Sequence, residues 1–292
     1  MTRRNARLGG KIFTALVFLF LYAPIFVLIV FSFNSSKSRT TWTGFSFKWY
    51  AELFQNDAIM SSLYTTLLVA VISALIATVL GTFAALGFYT MKKRWRNPLL
   101  EVNNIPLMNA DVVTGVSLCL LFVAAAAIMG DFTAWINKIF GTDLKTNFHL
   151  GFATLLIAHI SFNTPYVILS VMPKLYQLDR NLVDAAQDLG CTFMQAFFKV
   201  VVPQIMPGIV NGIIIAFTMS IDDFVISYFT AGSTVNTLSM TIYAMARRRV
   251  SPEINAISTL LFRAVLILLV IINLREIRQE DKKKRLQKAI AR

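Results

Sequence analysis

Six long apolar runs, at residues 12–33, 63–91, 105–129, 150–172, 204–221 and 254–274, constrain this chain more than any motif does. Each is close to the roughly 20 residues that a helix needs to cross the hydrocarbon of a bilayer. Backbone in that layer must satisfy its own hydrogen bonds, so runs of this length are read as helices. The expected fold class is an all-α polytopic membrane protein with six transmembrane helices and both termini on one side. A hydrophobic content of 56% over 292 residues supports this, being too high for an ordinary soluble domain. The first run follows the basic start MTRRNARLGGK and has no small-residue cleavage site, so it reads as a retained span, kinked at Pro24, and not as a removed signal peptide.

The formal charge of +13 would suit a nucleic-acid partner, but the basic residues sit at the ends of the apolar runs and report topology instead. The N-terminus, the cluster at 92–96, the loop at 174–203 and the tail from 275 hold 19 of the 28 Lys and Arg residues, and the three opposite loops hold 8. The positive-inside rule then places the termini and the 174–203 loop in the cytoplasm. Residues 1–11 become a cytoplasmic N-terminus, 12–274 a membrane domain and 275–292 a basic cytoplasmic tail. Lys92, Lys93, Arg94 and Arg96 read as topology determinants against anionic lipid, and Arg263 falls inside the sixth run. On the other side, Trp42, Phe45, Phe47, Trp49, Tyr50, Leu53 and Phe54 suggest an interfacial helix in the first loop. Trp135 suggests another in the 130–147 loop, and 222–253 forms a third outer segment.

One cytoplasmic stretch is neither span nor tail: DRNLVDAAQDLGCTFMQAFFKVVVPQIMP, residues 179–207. Asp179 can cap a helix on which Leu182, Val183, Ala186 and Leu189 recur at helical spacing, and Gly190 can end it. Thr192 to Gln195 reads as a capping box for a second short helix, with Phe193, Ala196, Phe197 and Val200 on one face. Pro203 is expected to stop that helix and Pro207 to open the next. The product is two amphipathic helices joined by a glycine turn, with an apolar face suited to a partner.

The chemistry of an enzyme is missing. The sequence has no phosphate loop of the G-x-x-x-x-G-K-[ST] form, no metal-ligand spacing around His149 and His159, and no nucleophile arrangement; Cys119 and Cys191 form no disulfide framework. Ionisable groups inside spans are costly and mark pathways. Asp111 lies within the third run, and Asp222 and Asp223 stand together where the fifth ends. They suggest an anionic path for a polycation, with Phe224, Tyr228 and Phe229 offering ring faces. The plain alternative is a solvated span-end pair or a helix cap. His159 and Asn163, one turn apart in the fourth run, could line the same path, or could hold helices together.

Asp184-Ala185-Ala186, three residues, Gly190, nine residues and then Val200-Val201-Val202-Pro203 resembles the EAA loop of ABC-importer permeases, with Asp in place of Glu and Val in place of Ile and Leu. The resemblance implies the type I importer permease fold. It also implies a loop that seats Leu182, Val183, Asp184, Ala185, Ala186, Leu189, Gly190 and Pro203 on an ATP-hydrolysing partner. FTMSIDDFVISYFTAG, SFNSSKSRTTWTGFSFKWYAELFQND and AHISFNTPYV are similar to spermidine/putrescine permeases of the PotC type. Here Ala110 precedes Asp111 and Ser239 follows Leu238, where that family often has proline. This resemblance implies an inner-membrane subunit paired with a second homologous permease, two ATP-binding cassette subunits and a periplasmic polyamine-binding protein. ATP and Mg would be bound by the partners, with no cofactor, metal or nucleic acid bound by this chain. The same importer with another small cationic or organic cargo, or a stand-alone channel or secondary transporter, remain the alternatives.

Overall fold

In the computed structural model the described residues are 3–36, 41–140, 149–248, 255–267 and 270, and they are almost entirely helical. In chain order the helices are α1 (Arg3–Phe31), α2 (Lys48–Gln55), α3 (Asp57–Thr90), α4 (Lys93–Met108), α5 (Asp111–Phe140) and α6 (Phe152–Tyr176). There follow α7 (Arg180–Asp188), α8 (Phe193–Ala196), a π-helical turn (Phe197–Val201), α9 (Val202–Asp222), α10 (Val225–Thr230) and α11 (Leu238–Arg248). A last apolar helix, α12, covers Asn255–Ile267. Among the described residues five segments are long and apolar enough to cross a membrane: Gly10–Phe31, Asp57–Thr90, Asp111–Phe140, Phe152–Tyr176 and Phe193–Asp222. Of the sixth expected span, 255–267 and 270 are described, and Arg263 is exposed on α12. The rest of that span, the basic tail from 275, Lys37 and Arg39 of the first loop, and 141–147 of the second lie outside the described residues.

The chain forms two compact units, Met1–Met60 with Ile242–Arg292, and Ser61–Thr241. In the first, α2 turns one face inward, with Trp49 and Leu53 buried, and Trp49 Nε1 donates to the Asn34 carbonyl at 2.6 Å. Phe33 stacks on Phe45 and on Tyr50, which fixes the chain as it leaves α1. The second unit is built around α6, the most buried of the long helices. Its core holds Val167, Ile168, Val171 and Leu175 against Ile205 and Ala216 of α9. Glycines let the backbones approach: a Cβ on Gly208 would sit 2.8 Å from the Ser170 carbonyl oxygen, and one on Gly212 3.2 Å from Val167 Cγ1. Small residues at such crossings are how helices associate where burial in lipid gives no hydrophobic drive.

Several boundaries differ from the sequence reading. The run at 105–129 is not one helix, because α4 ends at Met108 and α5 begins at Asp111, so Asp111 opens a helix instead of sitting within one. Pro106 removes a backbone donor from the last turn of α4, and Asn109, in extended conformation, caps it. The expected separate interfacial helix around Trp135 is absent: α5 continues unbroken to Phe140, with Trp135 stacked on Phe132 in the same helix. Past Asp222 the outer segment contains a short helix that was not foreseen, α10, whose Ile226, Ser227 and Thr230 are buried and which packs on α5 and α6.

Candidate functional site

The 179–203 loop is shaped by local bonds. The Asp179 carboxylate accepts from the Asn181 N–H at 3.0 Å and caps α7. At the other end Gly190 takes φ +87°, the left-handed conformation. The Gly190 N–H donates to the Gln187 carbonyl at 2.8 Å and the Cys191 N–H to the Ala186 carbonyl at 3.0 Å. That is the paired closure of a Schellman turn. Thr192 and Gln195 then form a reciprocal capping box that opens α8. The apolar residues divide between two faces. Val183 and Phe197 pack on the core, while Leu182, Leu189, Phe193, Met194 and Phe198 are exposed, Leu189 at 87%. Asp184 and Ala185 are exposed and Ala186 half-buried.

Pro203 does not stop the helix. The chain runs from Phe193 to Asp222 through a π-helical turn in which the Val202 N–H donates to the Phe197 carbonyl, five residues back. Widening the turn there makes room for the ring of Pro203, which lies exposed at the start of α9 and has no N–H to place. The loop is therefore joined to α9 without a hinge of irregular chain.

The acidic and polar residues gather where α9 gives way to α10. Asp222 is the last residue of α9 and is exposed. Asp223 faces inward with its side chain 7% exposed. Its Oδ1 accepts from the Ile226 N–H at 3.2 Å, and its Oδ2 accepts from the Ser227 N–H at 2.7 Å and the Ser227 hydroxyl at 2.8 Å. Its main-chain carbonyl accepts from Ser239 Oγ at 2.8 Å. Behind it lies a buried relay in which His159 Nε2 is 3.0 Å from Ser227 Oγ and Nδ1 is 2.6 Å from Ser220 Oγ. Ser220 is 3.2 Å from Ser73 Oγ, to which Asn163 Nδ2 donates at 3.4 Å. Asn163 Oδ1 is buried with no partner among the described residues. His159 and Asn163 thus meet α3, α9 and α10, and neither faces an open surface. Phe224 and Tyr228 lie one turn apart with ring centroids 5.6 Å apart, Tyr228 being 56% exposed.

Asp111 lies exposed at the start of α5, within electrostatic reach of Tyr166 on α6. One turn on, Gly115 meets α10: a Cβ there would be 2.9 Å from the Phe229 ring. Both interrupted helices, α4–α5 and α9–α10, therefore carry an aspartate at the break. Sequence reading found these aspartates but not the serines at 73, 220 and 227, which look like ordinary small residues within apolar runs. No group of three or more His, Cys, Asp or Glu side chains that could hold a metal occurs among the described residues.

Residues 77–277 match the family model of the binding-protein-dependent transport system inner membrane component. The chain is 41% identical over 249 residues to the putrescine transport system permease protein PotI of Escherichia coli (strain K12), covering 85% of this chain and 83% of that one. It is 34% identical over 263 residues to the spermidine/putrescine transport system permease protein PotC of the same organism, covering 90% and 91%. Among solved structures it resembles a chain of the bacterial alginate ABC transporter in complex with alginate pentasaccharide-bound periplasmic protein. The TM-score is 0.69 at 16% identity, over 93% of each chain, a likeness of fold.

Proposed function

Because the chain belongs to the family of binding-protein-dependent transport system inner membrane components, we propose that it forms part of the translocation path for polyamines, spermidine or putrescine, in an ATP-driven importer. Its identity to the putrescine permease across 85% of its length carries this reading. The geometry agrees with a cationic cargo. The exposed Asp222 carboxylate stands at the C-terminal end of α9, where the helix dipole also favours positive charge, and the exposed Tyr228 ring lies one turn into α10. Asp111, at the other helix break, is the second acidic group of the path.

In this reading six spans cross the bacterial inner membrane, with both termini and the 179–203 loop in the cytoplasm. A second, homologous permease completes the path, two ATP-binding cassette subunits bind ATP and Mg, and a periplasmic polyamine-binding protein delivers cargo. Leu182, Leu189, Phe193 and Met194 seat the loop on an ATPase subunit. Closure of the ATPase dimer then moves α7 and α8, and through the continuous π turn moves α9, so that force reaches the end of α9 where Asp222 stands. His159 and Asn163 hold helices together in this scheme and do not line the path.

The test is ATP-driven uptake of labelled spermidine and putrescine into proteoliposomes holding the copurified complex, with the binding protein added outside. Saturable uptake of either polyamine is the expected result. ATPase that copurifies and is stimulated by the binding protein, without polyamine uptake, would keep the machine and overturn the cargo.

A further inference from the structure

Asp222 and Asp223 are adjacent in sequence and identical in chemistry, yet the fold gives them opposite surroundings. We propose that they divide the work: Asp222 meets the ammonium group of the substrate, and Asp223 is a positioning residue whose only contacts are with the protein. The division rests on the polyamine reading for what Asp222 binds, but not for what Asp223 does.

The assignment follows from counting donors and acceptors. Both oxygens of Asp223 are engaged, by two backbone N–H groups and one hydroxyl from the first turn of α10, and His159 Nε2 of α6 lies 3.5 Å from Oδ2. With Ser227 donating its hydroxyl proton to Asp223, Ser227 Oγ accepts from His159 Nε2–H. His159 Nδ1 then accepts from the Ser220 hydroxyl, and Ser73, which accepts from the Asn163 amide, shares its one proton between Ser220 Oγ at 3.2 Å and the Ala70 carbonyl at 3.4 Å. From Ser220 onward every proton in this relay points toward Asp223. The relay joins α3, α6, α9 and α10, and it ends on the residue that sets the direction in which α10 leaves α9.

No hydrogen bond or ion pair engages the Asp222 carboxylate among the described residues. It is exposed at a helix C-terminus, the end that attracts cations. A substrate ammonium approaching the break meets Asp222 first, and would have to break three hydrogen bonds to reach Asp223. Asp223 therefore matters as an acceptor, and Asp222 as a charge.

Replacing each aspartate by Asn and by Ala separates the two roles, because Asn keeps an acceptor oxygen and loses the charge. The whole copurified complex is used, with two readouts. In proteoliposome uptake, Asp222→Asn and Asp222→Ala are both expected to raise the KM for spermidine by about tenfold or more, the loss of a charge-assisted hydrogen bond. Asp223→Asn is expected to keep KM within about threefold of wild type, since Asn is among the best capping residues, whereas Asp223→Ala lowers the maximal rate. In hydrogen exchange, which needs no cargo, Asp223→Ala speeds exchange of the Ile226 and Ser227 amides, Asp223→Asn does so much less, and neither Asp222 variant does. If Asp223→Ala proves too unstable to purify, Ser227→Ala removes one bond to the same carboxylate and is expected to show a smaller rise in exchange. A KM raised equally by Asp223→Asn and Asp222→Asn, with α10 exchange unchanged, would overturn the division. Failure of wild-type polyamine uptake would overturn the cargo but leave the exchange comparison standing as the test of Asp223.

Discussion

Two glycines with positive φ show how differently one residue can matter. Gly190, at φ +87°, has nothing among the described residues within 4 Å of where a Cβ would stand. Gly190→Ala therefore meets only the intrinsic strain of the left-handed conformation, about 1–2 kcal/mol. It acts locally, on the turn between α7 and α8. The expected outcome is a melting temperature lowered by no more than the few degrees that this strain implies, with less substrate transported per ATP hydrolysed. Gly232, at φ +66°, is crowded as well, because a Cβ there would run into the Leu150 carbonyl. Gly232→Ala is expected to lower the melting temperature of the solubilised protein by several degrees, and equal shifts for the two variants would refute the contrast. Gly190 was legible in the sequence because its turn closes within six residues, from Ala186 to Cys191. The significance of Gly232 was not, since the atom that crowds it lies 82 residues away by the numbering of Leu150 and Gly232. The Asp222–Asp223 pair falls between these cases. Its position at a span end was plain, but which carboxylate faces inward depends on Ser227 and His159.

At the scale of elements, local rules failed where two runs shared one axis. Proline ordinarily breaks a helix, and a short helix ending at Pro203 was the natural reading. The π turn instead absorbs the missing donor and joins α8 to α9. Such a turn depends on Phe197 and Val201 packing on the core around Ile205, which periodicity cannot reveal. Pro203→Ala restores an N–H and relieves the need for the wide turn. Tightening five residues to α geometry rotates α8 relative to α9, so this variant is expected to bind the ATPase yet transport several-fold less per ATP. Unaltered coupling would show that the turn is passive. The α6–α9 crossing gives a second prediction. Gly208→Val places new methyl groups against the Ser170 carbonyl and Lys174 Cγ, an overpacking cost of about 1–3 kcal/mol. The yield of folded complex on size exclusion should fall, whereas substitution at Gly130, where a Cβ meets nothing within 4 Å among the described residues, should leave it unchanged.

For the whole molecule, the count of Lys and Arg residues makes a directional claim that the exposed loop can test. Leu189, 87% exposed beside Gly190, accepts a cysteine without disturbing the core. In a background lacking Cys119 and Cys191, and with the ATPase subunits left out so that the loop is uncovered, Leu189→Cys should react with a membrane-impermeant maleimide in inside-out vesicles and not in right-side-out ones. The reverse pattern would invert the proposed topology and with it the site of ATPase contact. Orientation was readable from charge because it is set by residues at span ends, whereas the break at Asn109-Ala110 in the third run was passed over because apolar residues flank it on both sides.

The first long helix carries a consequence of another kind. None of the residues in the apolar window of Gly10–Phe31 is buried in the chain's own interior. Side chains that build no core within their own chain are held there chiefly by their solubility in oil, so toward the rest of this chain the stretch should behave as a ribbon of solvent preference and not as a piece of a jigsaw. Scrambling the order of residues 12–30 while keeping their composition should leave the chain inserted and folded, while the same treatment of α6 should unfold it.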